Sequence, residues 1–429
     1  MSGHEHAQRE HPHEHGQHQH DACATGPQLT SIDEHRERIL AEARVLPTHS
    51  VVLRDALGLV LAEDVQNRWP VPLFDNSAMD GYAVHSDDAV AGARLRIVAD
   101  VAAGSAEDPS FGVGEAVRIM TGAPVPSAAD AIVPLENTDI GTSISETPPE
   151  FITITEQPHA SVHIRRKASD AEAGSIAVSA GAELGAWQLS SIAAAGYATI
   201  SVHRRPRVAV ISTGSELIDP AATPARGQIP ESNSILLSAA LRASGVEVTS
   251  STTVPDDNDA LRAAVDEARA VSDAIVLTGG ASVGAFDVVK AVLDGTASIR
   301  FDRVAMQPGK PQGFGVLDNT LVFCLPGNPV SVAASFEMFV RPALRAMAGH
   351  ADIDRPRVTR TAAIGWRTPA GRAQILPVIF NDQIVQPASH GGSGSHLVSS
   401  LADAEGLAIV PANIDCVDEG DAVTVMVLS

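Results

Sequence analysis

The spacing of apolar residues changes along this chain, and each change predicts a new kind of structure. The first stretch has almost no apolar positions. Behind it Ile32, Ile39, Leu40 and Ala43 recur at helical spacing, led by Ser31 and Glu34, a serine–glutamate capping box, so a helix is predicted over residues 31–46. Residues 50–64 read as a second, shorter helix with a turn at Gly58. From 65 to 161 the apolar runs are short and broken by Gly, Pro and Asp. Runs at 95–98, 116–120, 131–133 and 151–154 read as strands of a small β-rich unit, with Pro148-Pro149 and Pro158 at its far edge. A further helix is predicted at 189–195, ended by Gly196.

Residues 206–348 then alternate strand and helix. Strands are read at 208–211, 246–253, 274–277, 303–306 and 321–325. Helices are read at 234–244, 257–271 and 329–347, the first of them ended by Gly245. This is the pattern of a parallel α/β domain whose ligand turns lie at the carboxyl edge of its sheet. Residues 349–429 return to short strands and glycine turns, a small β-barrel or sandwich. The fold class expected is therefore multidomain α/β plus β. A mixed N-terminal domain (29–64 with 162–205) carries an inserted β-rich domain (65–161), followed by the α/β domain (206–348) and a C-terminal barrel (349–429).

Composition narrows the function. A chain of 429 residues suits roughly three to four domains. Aromatics are 3% of residues, too few for a base-stacking surface, and a formal charge of −22 argues against nucleic acid or an anionic membrane as partner. Against that background the run Arg165-Arg166-Lys167 stands out. No apolar run approaches a membrane span and the N-terminus has no signal-peptide core, so a cytoplasmic protein is expected. Cys23, Cys324 and Cys416 share no metal spacing, and Cys324, inside an apolar run, reads as a small core residue. The tail 1–28, with His4, His6, His11, His13, His15, His18 and His20, has nothing to bury and is expected to be disordered, with a generic capacity for Ni, Zn or Cu.

The chemistry concentrates between residues 277 and 331. Three glycine- and proline-rich turns follow or border apolar runs there: Gly279-Gly280-Ala281-Ser282-Val283-Gly284, Pro308-Gly309-Lys310-Pro311 and Pro326-Gly327-Asn328-Pro329-Val330-Ser331. Turns at strand ends that precede helices present free backbone N–H groups to an anion. Thr213-Gly214-Ser215-Glu216 follows the first strand of the same unit. Alone it is an ordinary connection, but beside Thr278-Gly279-Gly280 it makes a second glycine turn able to cradle phosphates. Neither turn matches the Walker or dinucleotide fingerprint. Asp287 is either a helix N-terminal acid or a Mg²⁺ ligand next to phosphate oxygens. Lys310, in a rigid proline-bordered turn, suits a dianion, and Ser331 is either a helix cap or an oxyanion donor.

In the N-terminal half stand FDNSAMDGYAV (74–84) and RIMTGAPVP (118–126). Taken with STGSEL (212–217), TGGASVGAFD (278–287), PGKPQGFG (308–315), LPGNPVS (325–331) and GSHLVSS (394–400), they resemble the molybdopterin molybdenumtransferases, the MoeA family that includes the E domain of gephyrin. The resemblance covers residues 28–429 and leaves out the histidine-rich tail.

It implies a MoaB/Mog-like α/β domain in an elongated homodimer. The active site would lie between the α/β domain of one subunit and the inserted domain of the other. The implied reaction inserts molybdate into adenylylated molybdopterin and releases AMP and molybdenum cofactor, with Mg²⁺ required. By motif match Asp80 and Thr121 would face the substrate from the partner subunit, and Asp170 matches another functional acid. Asp287, with Glu231, would serve the metal. Gly214, Ser215, Glu216, Gly279, Gly280, Ser282, Gly284, Pro326, Gly327 and Asn328 would hold the adenylylated pterin, and Lys310, Ser331, Arg372 and Ser395 the molybdate. Gln307, Gln188 and Glu231 depart from the commonest bacterial pattern, which has lysine, glutamate and aspartate there. Two alternative functions stand beside it: the adenylyltransferase that makes the adenylylated pterin, which residues 206–348 alone also resemble and which is also an implied partner, and a non-catalytic scaffold of the same architecture.

Overall fold

The computed structural model describes residues 29–142, 145–279, 288–293, 298–389 and 397–428. At its centre is a six-stranded sheet in the order Glu247–Val254, Arg207–Thr213, Ala274–Thr278, Thr320–Leu325, Pro311–Leu317, Ile299–Arg303. The first four strands are parallel, Pro311–Leu317 adds antiparallel to Thr320–Leu325, and Ile299–Arg303 adds antiparallel to Pro311–Leu317, so the parallel sheet expected from the sequence carries an antiparallel margin. The runs are apolar throughout because both faces are covered. Val208, Val210, Val276 and Phe323 point to one side, where Leu237 and Leu241 of helix Asn233–Ala243 meet the helical run 329–347. Ala209, Ile211, Ile275, Leu277 and Cys324 point to the other, against Leu261, Val265 and Ala268 of helix Asn258–Val271. Asp257 caps the latter helix by accepting from Ala260 N.

Three local expectations are corrected. Residues 50–64 are not helical. Thr48–Val52 and Val60–Leu61 are strands flanking Thr199–His203, and between them lie one 3₁₀ turn at Leu53–Asp55 and Gly58, at φ +71°. The β-branched Val51 and Val52 favour the strand, and Val51 packs with Leu61, Ile200 and Val202 in a local core. The apolar run 303–306 is split. Arg303 ends one strand of the α/β sheet, whereas Met306–Gln307 joins the C-terminal sheet in parallel with Ala373 and Gln374. The helix over 329–347 holds a π segment, Phe336–Val340, between Pro329–Ser335 and Arg341–Met347.

The capping box forms as read, with Ser31 accepting from Glu34 N ahead of helix Ile32–Glu42. That helix packs by Ile39, Ile32 and Ala43 onto the α/β core, and not onto the sheet around Thr199–His203 with which the sequence grouped it. Arg38 reaches Asp302, which also accepts from Arg300 Nε at 2.8 Å. Thr30 N donates to Arg303 O at 3.0 Å, and Ala305 N donates to Thr30 O at 2.8 Å. The N-terminal segment thus braces the loop that follows strand Ile299–Arg303.

Between the flanking strands, residues 81–153 build a five-stranded sheet ordered Ala131–Pro134, Gly81–Val84, Glu115–Ile119, Arg94–Val101, Phe151–Thr153, with cores on both faces. The C-terminal strands Ala373–Phe380, Ile384–Pro387, Arg357–Ala362, Ala422–Val427 and Gly406–Val410 close on themselves into a barrel. Among the described residues no helix is long and apolar enough to cross a membrane.

Candidate functional site

The register of the central sheet brings the predicted turns to one edge. Ser212 lies beside Thr278 and Thr278 beside Leu325, so strands Arg207–Thr213, Ala274–Thr278 and Thr320–Leu325 all end at this level. Pro311–Leu317 runs the opposite way, with Gly313 opposite Cys324, so its start and Lys310 stand next to Pro326-Gly327. Arg303 pairs with Pro311 and ends at the same edge.

The turns touch backbone to backbone. Gly279 has φ +92°, and a Cβ there would lie 2.2 Å from Thr213 O. A Cβ on Gly327 would lie 3.3 Å from Gly279 Cα. Only glycine lets strand-end peptides converge so closely. Their meeting point is the floor of a cleft of about 380 Å³, lined by Thr213, Gly214, Glu216, Glu231, Asn233, Asp256, Gly279, Gly327 and Asn328 among others. It adjoins a second cavity of about 550 Å³ that shares Gly214, Leu217 and Glu231 and extends along Ser215, Asp219 and Ser234.

The walls of the cleft are tied by side chains. Ser215 N donates to Asp256 Oδ2 at 3.0 Å, and Asp256 N donates to Ser215 Oγ at 3.1 Å. Glu231 is buried. It accepts from Ser212 Oγ at 2.9 Å, from Ser234 N at 2.8 Å and from the Ser234 hydroxyl. It therefore works first as a brace between strand Arg207–Thr213 and helix Asn233–Ala243. Asn233 Nδ2 donates to Gly327 O at 2.6 Å and to Thr278 Oγ1 at 3.1 Å. Asn233 and Asp256 were not among the residues singled out from the sequence. Thr213 was named there only as the first residue of the Thr213-Gly214-Ser215-Glu216 turn.

Beside this cleft lies a patch of positive charge. The Pro308-Gly309-Lys310-Pro311 turn is held from below by buried Gln312, whose Nε2 donates to Gly309 O and to Ser335 Oγ, both at 2.7 Å. Ala373 N donates to Ala305 O at 2.9 Å, which docks the barrel on the loop and brings Arg372 to the turn. Desolvation first, and then the charges of Arg303 and Arg372, hold the Lys310 ammonium below the usual lysine value. None of these three cations is ion-paired among the described residues. Arg303 was not anticipated from sequence. Its role depends on the antiparallel pairing with Pro311, which the alternating pattern does not reveal.

A third group lies in the inserted half. Asp80 Oδ1 accepts from Thr121 N at 2.7 Å and from Thr121 Oγ1 at 2.9 Å, joining the two N-terminal motifs. Asp75 accepts from Lys167 N at 2.8 Å and pairs with Arg166 at 2.6 Å, which ties in the basic run. The Lys167 amide, helped by Arg166, holds the Asp75 carboxyl below its ordinary value. Asp170 is exposed and follows the same loop, its N–H donating to Val71 O at 3.0 Å. Asp80, Thr121 and Asp170 line neither cleft of the carboxyl edge.

Ser331 is buried within the first helical turn and also lines neither cleft. Gly280, Ser282, Gly284, Asp287 and Ser395 lie outside the described residues. Among the described residues no three His, Cys, Asp or Glu side chains gather as a metal site. The donors along the cleft are nonetheless all oxygen, as a hard cation shared with phosphate requires.

Comparison with known proteins covers nearly all of the described chain. Residues 30–196 match the MoeA N-terminal region (domains I and II), 209–346 the probable molybdopterin binding domain, and 359–428 the MoeA C-terminal region (domain IV). Molybdopterin molybdenumtransferase 2 of Mycobacterium tuberculosis is 39% identical over 398 residues, 90% of this chain and 96% of the relative. Molybdopterin molybdenumtransferase 1 of the same organism is 34% identical, over 94% of this chain and 99% of its own. The crystal structure of the molybdopterin biosynthesis MoeA protein from Pyrococcus horikoshii superimposes with a TM-score of 0.78 at 30% identity, over 93% of this chain and 99% of that one.

Proposed function

The chain belongs to the MoeA family, transferases of molybdenum cofactor biosynthesis, and from that premise we propose that it inserts molybdate into adenylylated molybdopterin, with Mg²⁺-dependent release of AMP. The observation that carries the proposal is the shared edge. Converging glycine turns suited to phosphate stand beside cations, without an ion pair among the described residues, that suit a tetrahedral dianion. The strand-end amides around Gly214, Gly279 and Gly327 hold the adenylate phosphates. Lys310, Arg372 and Arg303 draw molybdate to the adjacent turn, so that metal and pterin meet at high effective concentration. Glu231 is the described carboxylate that would face Mg²⁺, together with Asp287. When bound, the ion would offset negative charge on the phosphate bridge as it is cleaved. Asp80, Thr121 and Asp170 of a second copy complete the site in a homodimer, which accounts for their distance from this cleft within one chain.

Matches along residues 30–428 to relatives named as molybdenumtransferases favour insertion over the adenylyltransferase reading. The full chain, incubated with adenylylated molybdopterin, molybdate and Mg²⁺, is expected to release AMP only when the oxyanion is present. Pyrophosphate release from ATP and molybdopterin would identify the adenylyltransferase instead. Neither activity would identify a scaffold. A tungstate arm of the same assay reads anion preference.

A further inference from the structure

Two polar atoms in the floor of the cleft are buried and have no hydrogen-bond partner among the described residues: Thr213 Oγ1 and Asn233 Oδ1. Thr213 is 3% exposed and Asn233 8%, and both line the cleft. The orientation of Asn233 is fixed by its neighbours. Carbonyl oxygens only accept, so the side of the amide that faces Gly327 O must be the NH₂ group. Thr278 Oγ1 gives its hydrogen to Pro326 O at 3.2 Å and therefore accepts from the other Asn233 N–H. Both amide hydrogens are spent on the protein, and Oδ1 is left as a pure acceptor. Thr213 lies beside Gly279, against whose Cα side it packs, and its hydroxyl can donate or accept.

A phosphate oxygen cannot donate to Asn233 Oδ1 and is repelled by it. We infer that Thr213 and Asn233 form the neutral end of the cleft and take an uncharged donor group of the ligand, a hydroxyl or an amine, next to the amides that take its phosphate. The ligand donates to Asn233 Oδ1 and shares a hydrogen bond with Thr213 Oγ1. Neither buried atom is then left unpaired, an arrangement that discriminates strongly against ligands lacking the donor. The inference rests on the nucleotide reading of the cleft proposed above and adds a specificity contact to it. In AMP the donor is a ribose hydroxyl or the adenine amine, and the experiment separates them.

The test is calorimetric titration of the full chain with AMP, 2′-deoxy-AMP, 3′-deoxy-AMP and inosine monophosphate, with Mg²⁺ and with EDTA, for wild type, Thr213→Val and Thr213→Ser. Because the Thr213 hydroxyl bonds nothing among the described residues, Thr213→Val is expected to melt at the wild-type temperature. Its Kd for AMP is expected to rise about tenfold, since a lost contact of this kind is worth about one decade. Thr213→Ser restores wild-type affinity. One analogue loses a similar factor on wild type and nothing more on Thr213→Val, which identifies the donor. The inference is overturned if Thr213→Val binds AMP as wild type does, if Thr213→Ser is as weak as Thr213→Val, or if no analogue shares the loss. It is also overturned if the effect vanishes in EDTA, which would give these atoms to the cation. Wild type without affinity for AMP would remove the nucleotide reading itself, and this inference with it.

Discussion

Replacing Gly279 by alanine tests whether the cleft depends on backbone contact between two strand ends. The residue has φ +92°, and the new Cβ would stand 2.2 Å from Thr213 O, a backbone atom that no rotamer change can move. The left-handed conformation alone costs about 1–3 kcal/mol for a residue with a Cβ. A normal carbon–oxygen contact is about 1 Å longer than this one, so the 213–216 and 278–279 turns must part by that amount or strain, adding about 1–3 kcal/mol of overpacking. A shift of about 1 Å in a group that positions substrate costs on the order of 100-fold in rate. The matched control is Gly227→Ala. Gly227 has φ +88° in the same domain, but its Cβ would meet nothing within 4 Å, so it bears the backbone cost only. Both variants are compared by thermal unfolding and by molybdate-dependent AMP release. Gly279→Ala is expected to melt lower than Gly227→Ala and to lose about two decades of AMP release. Equal melting points with wild-type turnover in both would refute the claim that the turns are in obligatory contact.

Two other consequences are open to direct measurement. If Asp80 acts on the site of the opposite subunit, Asp80→Asn and Lys310→Ala chains, each inactive alone, should recover about a quarter of wild-type activity when mixed as dissociated subunits, because half the dimers then hold one intact site. No recovery in verified heterodimers would place both residues in one subunit's site. Burial, reinforced by Arg345 and Arg341 against the opposing pull of Glu183 and Asp352, lowers the pKa of His350 to about 4. The folded value lies below the unfolded 6.5, so this stabilisation is complete above about pH 6.5 and is lost as pH falls toward 4. Between pH 7 and pH 5 the loss is about 2 kcal/mol, and urea unfolding of His350→Asn should show a correspondingly shallower fall. Parallel curves for variant and wild type would assign the acid sensitivity elsewhere, for instance to His35, whose pKa burial also lowers.

How much of the fold and the site is legible in the sequence depends on the range of the interaction. Turn chemistry is local, so the glycine turns after Thr213, Thr278 and Leu325 mark the carboxyl edge in the residue order alone. Strand identity is obscured where the partner is distant. Val51-Val52 owes its extended form to Thr199–His203, and Met306–Gln307 to Ala373-Gln374, pairings that no periodicity reports. The contact of Asp80 with Thr121 spans 41 residues and is suggested only by family resemblance. Asn233, and the part played by the Thr213 hydroxyl within its turn, escape for a different reason. A hydroxyl closing an apolar strand and an amide opening a helix both have ordinary roles, and only the count of satisfied hydrogen bonds separates these two from such roles.

The position that departs from the family at the cationic turn is explained in part by its surroundings. Gln307 sits in the two-residue strand that docks the barrel, opposite Gln374 and two positions from the residue that pairs alongside Arg372. Its backbone pairing with Gln374 makes it part of the docking seam as well as a lost charge. The three cations already gathered there press on one another, as the lowered Lys310 pKa records, and a fourth would add repulsion in the free protein. With a dianion bound the balance reverses. A unit charge about 6 Å from a double negative charge gains on the order of 1 kcal/mol in a water-like dielectric and more where water is thin. Gln307→Lys is therefore expected to lower the KM for molybdate about fivefold at low ionic strength. The gain should shrink once the Debye length falls below about 8 Å, and melting should drop slightly. Gln307→Met, which makes the same change at the seam without the charge, should show the drop in stability and no gain in KM. A KM that is unchanged at low salt, or lowered equally by Met, would mean that Gln307 is a seam residue whose charge does not reach the anion.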